Sequence, residues 1–79
     1  MTLQIKHDKK ADAIYIRFSD AKWAYTREID DTRYVDYTSD DKAIGVELLC
    51  VSEGINLHDL PRPGDIERAL VDMQIKVFA

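Results

Sequence analysis

The chain predicts an α+β fold: an antiparallel β-meander of four to five strands, one short C-terminal helix packed on a face, and a short final strand. Three observations lead there. Apolar residues alternate at period two in successive short segments up to residue 51. Clusters of Asp, Lys, Ser and Thr separate those segments, as turns require. Apolar spacing of three and four appears only beyond the two prolines. Residues 1–79 therefore read as a single domain, with 1–51 the β-meander core and 52–79 a loop, helix and final strand.

Leu3 and Ile5 alternate with Thr2, Gln4 and Lys6, giving a half-buried opening strand. A turn centred on Lys9-Lys10 would set Ile5 opposite Ile14, Leu3 opposite Ile16, and His7 opposite Asp12. Neither lysine favours positive φ, so a longer loop with another register competes with it. Asp12–Phe18 is the strongest strand signal: Ile14, Ile16 and Phe18 face one way, Ala13, Tyr15 and Arg17 the other. It is expected as an inner strand. Trp23–Ile29 is a third strand whose facing the pattern leaves open, because neither Tyr25, Arg27 and Ile29 nor Ala24, Thr26 and Glu28 is clearly a core set. Arg33–Tyr37 follows, and a turn on Asp40-Asp41 sets Asp36 opposite Gly45 and Tyr34 opposite Glu47. The strand after it has the apolar face Ile44, Val46, Leu48 and Cys50, with Gly45 leaving room for a neighbouring aromatic or backbone.

Residues 55–64 read as a loop, and Asp65 as the N-cap of a helix of about two turns carrying Ile66, Ala69, Leu70 and Met73. A helix that short is unstable alone, so its apolar stripe must lie on the sheet. Ile75, Val77 and Phe78 close the chain as a strand. Sequential strands with short turns make neighbour-to-neighbour order the default. The expected core is Leu3, Ile5, Ile14, Ile16, Phe18, Val35, Ile44, Val46, Leu48, Leu70 and Met73.

Seventy-nine residues bury only a modest core, so a further source of stability is expected. One cysteine excludes an internal disulfide, and two distant histidines with Cys50 make no metal spacing. Self-association remains, and a homodimer is expected. No apolar run reaches the ~20 residues of a membrane span, and residues 1–6 contain no signal-peptide core, so a cytoplasmic protein is the reading. The net charge of −4 is uneven: +3 over residues 1–27, −6 over 28–53, −1 beyond. That distribution disfavours nucleic acid, whose partners present a dense basic face.

No catalytic constellation emerges. His7 with Asp12 is better explained as a hairpin-end hydrogen bond than as an acid–base pair, since no nucleophile completes it. Asp30, Asp31, Asp36, Asp40 and Asp41 lack the alternating spacing of a calcium loop, and turns explain all but Asp36. Cys50 is expected as a small buried hydrophobe. Isolated glycines form no phosphate loop, and no cofactor is implied. The best candidate surface is the sheet face opposite Ile14 and Ile16, with Tyr15, Arg17, Tyr34, Asp36 and Glu47, because Tyr and Arg are enriched at binding hot spots.

The run Asp8-Lys9-Lys10-Ala11-Asp12-Ala13-Ile14-Tyr15-Ile16-Arg17-Phe18-Ser19 resembles the opening of the short prokaryotic proteins grouped as domain of unknown function 2283. The likeness continues through Glu28-Ile29-Asp30-Asp31, Val35-Asp36-Tyr37 and Ile44-Gly45-Val46-Glu47-Leu48-Leu49, covering residues 3 to about 51. The tail from Gly54 resembles an extension found in some members. Trp23 and Tyr25 depart from the small or acidic residues expected at their positions. The resemblance carries no catalytic residues. Some members are encoded beside toxin-like small proteins, which implies a binding role. The expectation is a non-enzymatic interaction module, with a small-molecule-binding or hydrolytic domain using Asp36, Glu47, Tyr15 and Arg17 as the alternative.

Overall fold

A computed structural model describes residues 3–78; Met1, Thr2 and Ala79, which the single-domain reading includes, lie outside the described residues. The strands are β1 (Gln4–Asp8), β2 (Ala13–Arg17), β3 (Tyr25–Asp30), β4 (Arg33–Tyr37), β5 (Ala43–Leu49), β6 (Ile55–Asn56) and β7 (Val77–Phe78), with one helix, α1 (Pro63–Asp72), between the last two. The first five form one antiparallel sheet and the last two a short parallel pair. The α+β class, the inner position of β2 and the closing strand are as the sequence predicts.

Strand order corrects the neighbour-to-neighbour expectation at one point. The sheet runs β1-β2-β5-β4-β3, so β3 is an edge strand and β2 lies against β5. Strands β3 to β5 form a meander, and β2 returns beside β5 in the manner of a Greek key. Burial explains the exchange. Beside β5, Ile14 and Ile16 stand opposite Leu48 and Val46, four fully buried side chains. Beside Thr26 and Arg27 they would gain no such partners.

The β1–β2 register corrects a second expectation. Ile5 is opposite Ile16 and His7 opposite Ile14, because the loop takes four residues, Lys9 to Asp12. The Asp8 carboxylate accepts from the Ala11 amide at 3.0 Å, and Asp12, at φ 55°, takes the left-handed position that the lysines disfavour. A slip of two residues preserves facing, so the inward residues are unchanged. The turn after β4 gives the predicted pairs, Asp36 with Gly45 and Tyr34 with Glu47.

The core joins Ile14, Ile16, Val35, Val46 and Leu48 of the sheet, and Phe18 just past β2, to Ile66, Ala69 and Leu70 of α1. Ile44 is buried as predicted, and Leu3 and Met73 pack partly buried against this cluster. Ile5 faces the right way but stays 40% exposed, because β1 is an edge strand. Cys50 is a further correction. It is exposed at φ 53°, where the chain leaves the sheet, and Val51 turns inward instead. Val51, at the end of the expected fifth strand, and Ile55 and Leu60, from the segment read as loop, complete the core. The helix starts at Pro63 rather than after Asp65, with Arg62 left-handed before it. Proline fits the first helical position because its missing N–H has no acceptor there. Asp65 sits in the first turn and accepts from Arg62 Nε at 2.8 Å.

Arg33 ties the C-terminal segment to the sheet. It occupies the inward phase of β4, opposite Leu48, and is only 7% exposed. Its Nε and Nη2 donate to Asp30 at 3.0 and 2.8 Å, while Nη1 donates to the carbonyls of Asn56 and His58.

Candidate interaction surface

Helix α1 covers one face of the five-stranded sheet, and the opposite face is open. Pairing registers place two rows of side chains across it. One is Lys6, Tyr15, Glu47, Tyr34 and Glu28; the other is Gln4, Arg17, Gly45, Asp36 and Thr26. All five residues singled out in the sequence, Tyr15, Arg17, Tyr34, Asp36 and Glu47, therefore share one face, although they do not form one cluster.

The central contact crosses Gly45. Tyr15 leans over this residue from β2, and its hydroxyl donates to Asp36 Oδ2 on β4 at 2.9 Å. A Cβ at position 45 would lie 2.8 Å from the Tyr15 hydroxyl oxygen, so the ring reaches Asp36 only because glycine stands between them. Asp36 Oδ1 accepts from Thr26 Oγ1, which in turn accepts from the Trp23 indole N–H at 2.9 Å. This chain fastens edge strand β3 to the middle of the sheet. Burial, then the Asp36 hydrogen bond and charge, push the Tyr15 phenol above its ordinary 10.0.

Arg17 departs from the others. Its Nε and Nη2 donate to the carbonyls of Ser19 and Ala21 at 2.7 and 2.9 Å, holding the long connection between β2 and β3. Tyr34 stands between Glu28 and Glu47 in its row. Desolvation and then the Glu28 carboxylate raise its phenol above 10.0, with Asp31 and Glu47 adding to it. The open face thus presents a half-buried aromatic ring flanked by carboxylates, with Lys6 at the margin.

Trp23 and Tyr25 project from the β3 side, 54% and 40% exposed. The facing left open for this segment is settled by pairing: Tyr25 and Arg27 stand opposite Tyr37 and Val35, on the inner face. Trp23 precedes the strand. Tyr25 stacks on Tyr37 with ring centroids 5.2 Å apart and donates to Asp41.

Asp12, Asp30, Asp40 and Asp41 are tied up locally. Asp12 accepts from the Ser52 amide at 3.0 Å and its hydroxyl at 2.6 Å, joining the first hairpin to the turn after β5. His7, facing Ile14, makes no hairpin-end bond to it, which corrects that expectation. Asp30 serves Arg33 and Thr32, Asp40 serves Thr38, and Asp41 serves Tyr25. Among the described residues, no three His, Cys, Asp or Glu side chains converge as metal ligands would. No helix among them is long and apolar enough to cross a membrane. Arg33 and the Trp23–Thr26 link escaped the sequence reading. Arg33 had a usable signal: a cation in phase with inward-facing Val35, three residues after an aspartate.

Fold and surface together define a small α+β protein built on a five-stranded antiparallel sheet with one face left open. Residues 4–52 match the family model described as Protein of unknown function (DUF2283), and the chain belongs to that family. The match spans all five strands and the open face, and α1 lies beyond it. No curated protein and no solved structure matches the chain.

Proposed function

We propose that the chain is a non-enzymatic protein-interaction module, working in the cytoplasm as a homodimer, whose open sheet face receives a basic segment of a small protein partner. The observation that carries this is the row Tyr15, Glu47, Tyr34 and Glu28 on a face no helix covers. Rings held in place by neighbours offer contact area at low entropic cost, and flanking carboxylates select for Lys or Arg. The same carboxylates disfavour nucleic acid, whose phosphates they repel. The narrower form of the reading, the binding half of a toxin–antitoxin-like pair, is supported by the family resemblance.

The alternative is a small-molecule-binding or hydrolytic domain using Tyr15, Arg17, Asp36 and Glu47. Hydrogen bonding favours the interaction reading, since Asp36 is engaged by Tyr15 and Thr26 and Arg17 by the Ser19 and Ala21 carbonyls.

Site-specific photo-crosslinking in the native cell tests the proposal. A benzophenone side chain at Tyr34 is expected to give a discrete adduct with one small basic protein, while the same probe at exposed Val71 on α1 does not. Equal, diffuse labelling from both positions would contradict it.

A further inference from the structure

Both edges of the sheet are candidates for pairing with another strand, and β1 has the better chemistry. All five residues of β1 are exposed. Leu3 and Ile5 on its inner side line a groove of about 320 Å³ against α1, with Ala69 in the same groove. The helix side of that groove carries Arg62, Asp65, Arg68 and Asp72, four alternating charges at helical spacing.

That stripe is complementary to itself. Reversed against a second copy, Arg62 meets Asp72 and Asp65 meets Arg68, and each pair recurs on the other side of the axis. A two-fold axis normal to the sheet at this edge imposes this reversal, because it inverts every direction in the sheet plane. The strands agree with the helices. Pairing β1 antiparallel to its copy about Ile5 sets Ile5 on Ile5, Leu3 on His7 and Gln4 on Lys6, with apolar residues over the groove and no like charges opposed. Centred one residue on, it would oppose Lys6 to Lys6. The β3 edge is poorer: axes at Arg27 or Glu28 oppose like charges, and the register is broken between Glu28 and Asp30.

We propose that two copies of this chain pair through β1 about a two-fold axis at Ile5, joining their sheets and setting their α1 helices antiparallel with the charge stripes interlocked. This rests on the self-association half of the reading above and leaves the open face free in both copies. Within each chain Asp65 already contacts Arg62 and Arg68, at 2.8 and 3.6 Å, so the dimer extends an ion-pair network that is present in the monomer.

Size-exclusion chromatography with light scattering over a dilution series tests the interface, with circular dichroism confirming that each variant folds. The wild-type chain is expected at twice the monomer mass. Ile5→Lys, at a position open to solvent, is expected to run as a monomer. Arg68→Glu should weaken association about tenfold, and Arg68→Glu with Asp65→Arg should recover it. Arg27→Glu on the opposite edge should leave it unchanged. A dimer that survives both Ile5→Lys and Arg68→Glu overturns this interface while self-association stands. A wild-type chain that is monomeric throughout overturns both.

Discussion

Tyr15 and Asp36 sit on strands separated by β5 and still meet, the hydroxyl donating to the carboxylate at 2.9 Å across the backbone of Gly45. The contact depends on a missing side chain as much as on the two present. It holds the phenol of Tyr15 in the plane of the open face and links β2 to β4 and, through Thr26, to edge strand β3.

Gly45→Ala tests this dependence. The added methyl would lie 2.8 Å from the Tyr15 oxygen and 3.0 Å from the Ile16 carbonyl, so ring and strand must shift. The expected loss is about 1–3 kcal/mol in urea unfolding, as for other overpacked sites. Combining it with Tyr15→Phe removes one clash and should recover part of the loss, a coupling of about 0.5 kcal/mol or more in a double-mutant cycle.

The high-pH limb follows from the raised Tyr15 phenol. Folding favours the protonated form, so this contribution is complete below pH 10.0, the ordinary value, and is lost as pH rises through the elevated one. Asp36→Asn removes the carboxylate that contributes to the shift and should move the Tyr15 titration back towards 10.0, read by the NMR shift of its ring carbons. An unchanged titration would show that Asp36 does not contribute.

The low-pH limb rests on Asp30. Hydrogen bonds from Arg33 hold its carboxyl below the ordinary 3.8, with Thr32 assisting against a desolvation that opposes them. A depressed carboxylate stabilises the fold above its unfolded value and ceases to do so as pH falls through the folded one. Arg33→Leu should weaken that dependence, leaving only the part that Thr32 supplies. It also strips the Asn56 and His58 carbonyls of their donor, and a loss of about 2–3 kcal/mol is expected because Arg33 is buried while Asp30 is partly solvated. Faster amide exchange across residues 54–60 would show that the C-terminal segment has loosened.

Much of this fold was legible in the sequence, for identifiable reasons. The inward set of β2, β4 and β5 follows from period two, and the Tyr34–Glu47 and Asp36–Gly45 pairs follow from one aspartate-rich turn. Gly45 as the site of a close aromatic approach was readable from its isolation inside a strand. What was hidden is non-local. The placing of β2 beside β5 depends on which apolar rows match across the sheet, and the burial of Arg33 depends on carbonyls more than twenty residues away. Cys50 misled because alternation was carried one residue beyond the strand. The candidate face was found by parity alone, which placed Arg17 on it but could not show that its guanidinium turns to the Ser19 and Ala21 carbonyls.

In the proposed function the carboxylates beside Tyr34 serve recognition and not folding, and reversing them measures both at once. Glu28→Lys with Glu47→Lys lies on an open face, so the urea midpoint should correspond to a change within about 0.5 kcal/mol. The same double variant, carrying the benzophenone at position 34, should lose the adduct with the small basic partner. Loss of the adduct with stability retained is the predicted result. An adduct of undiminished yield on the charge-reversed face would contradict it.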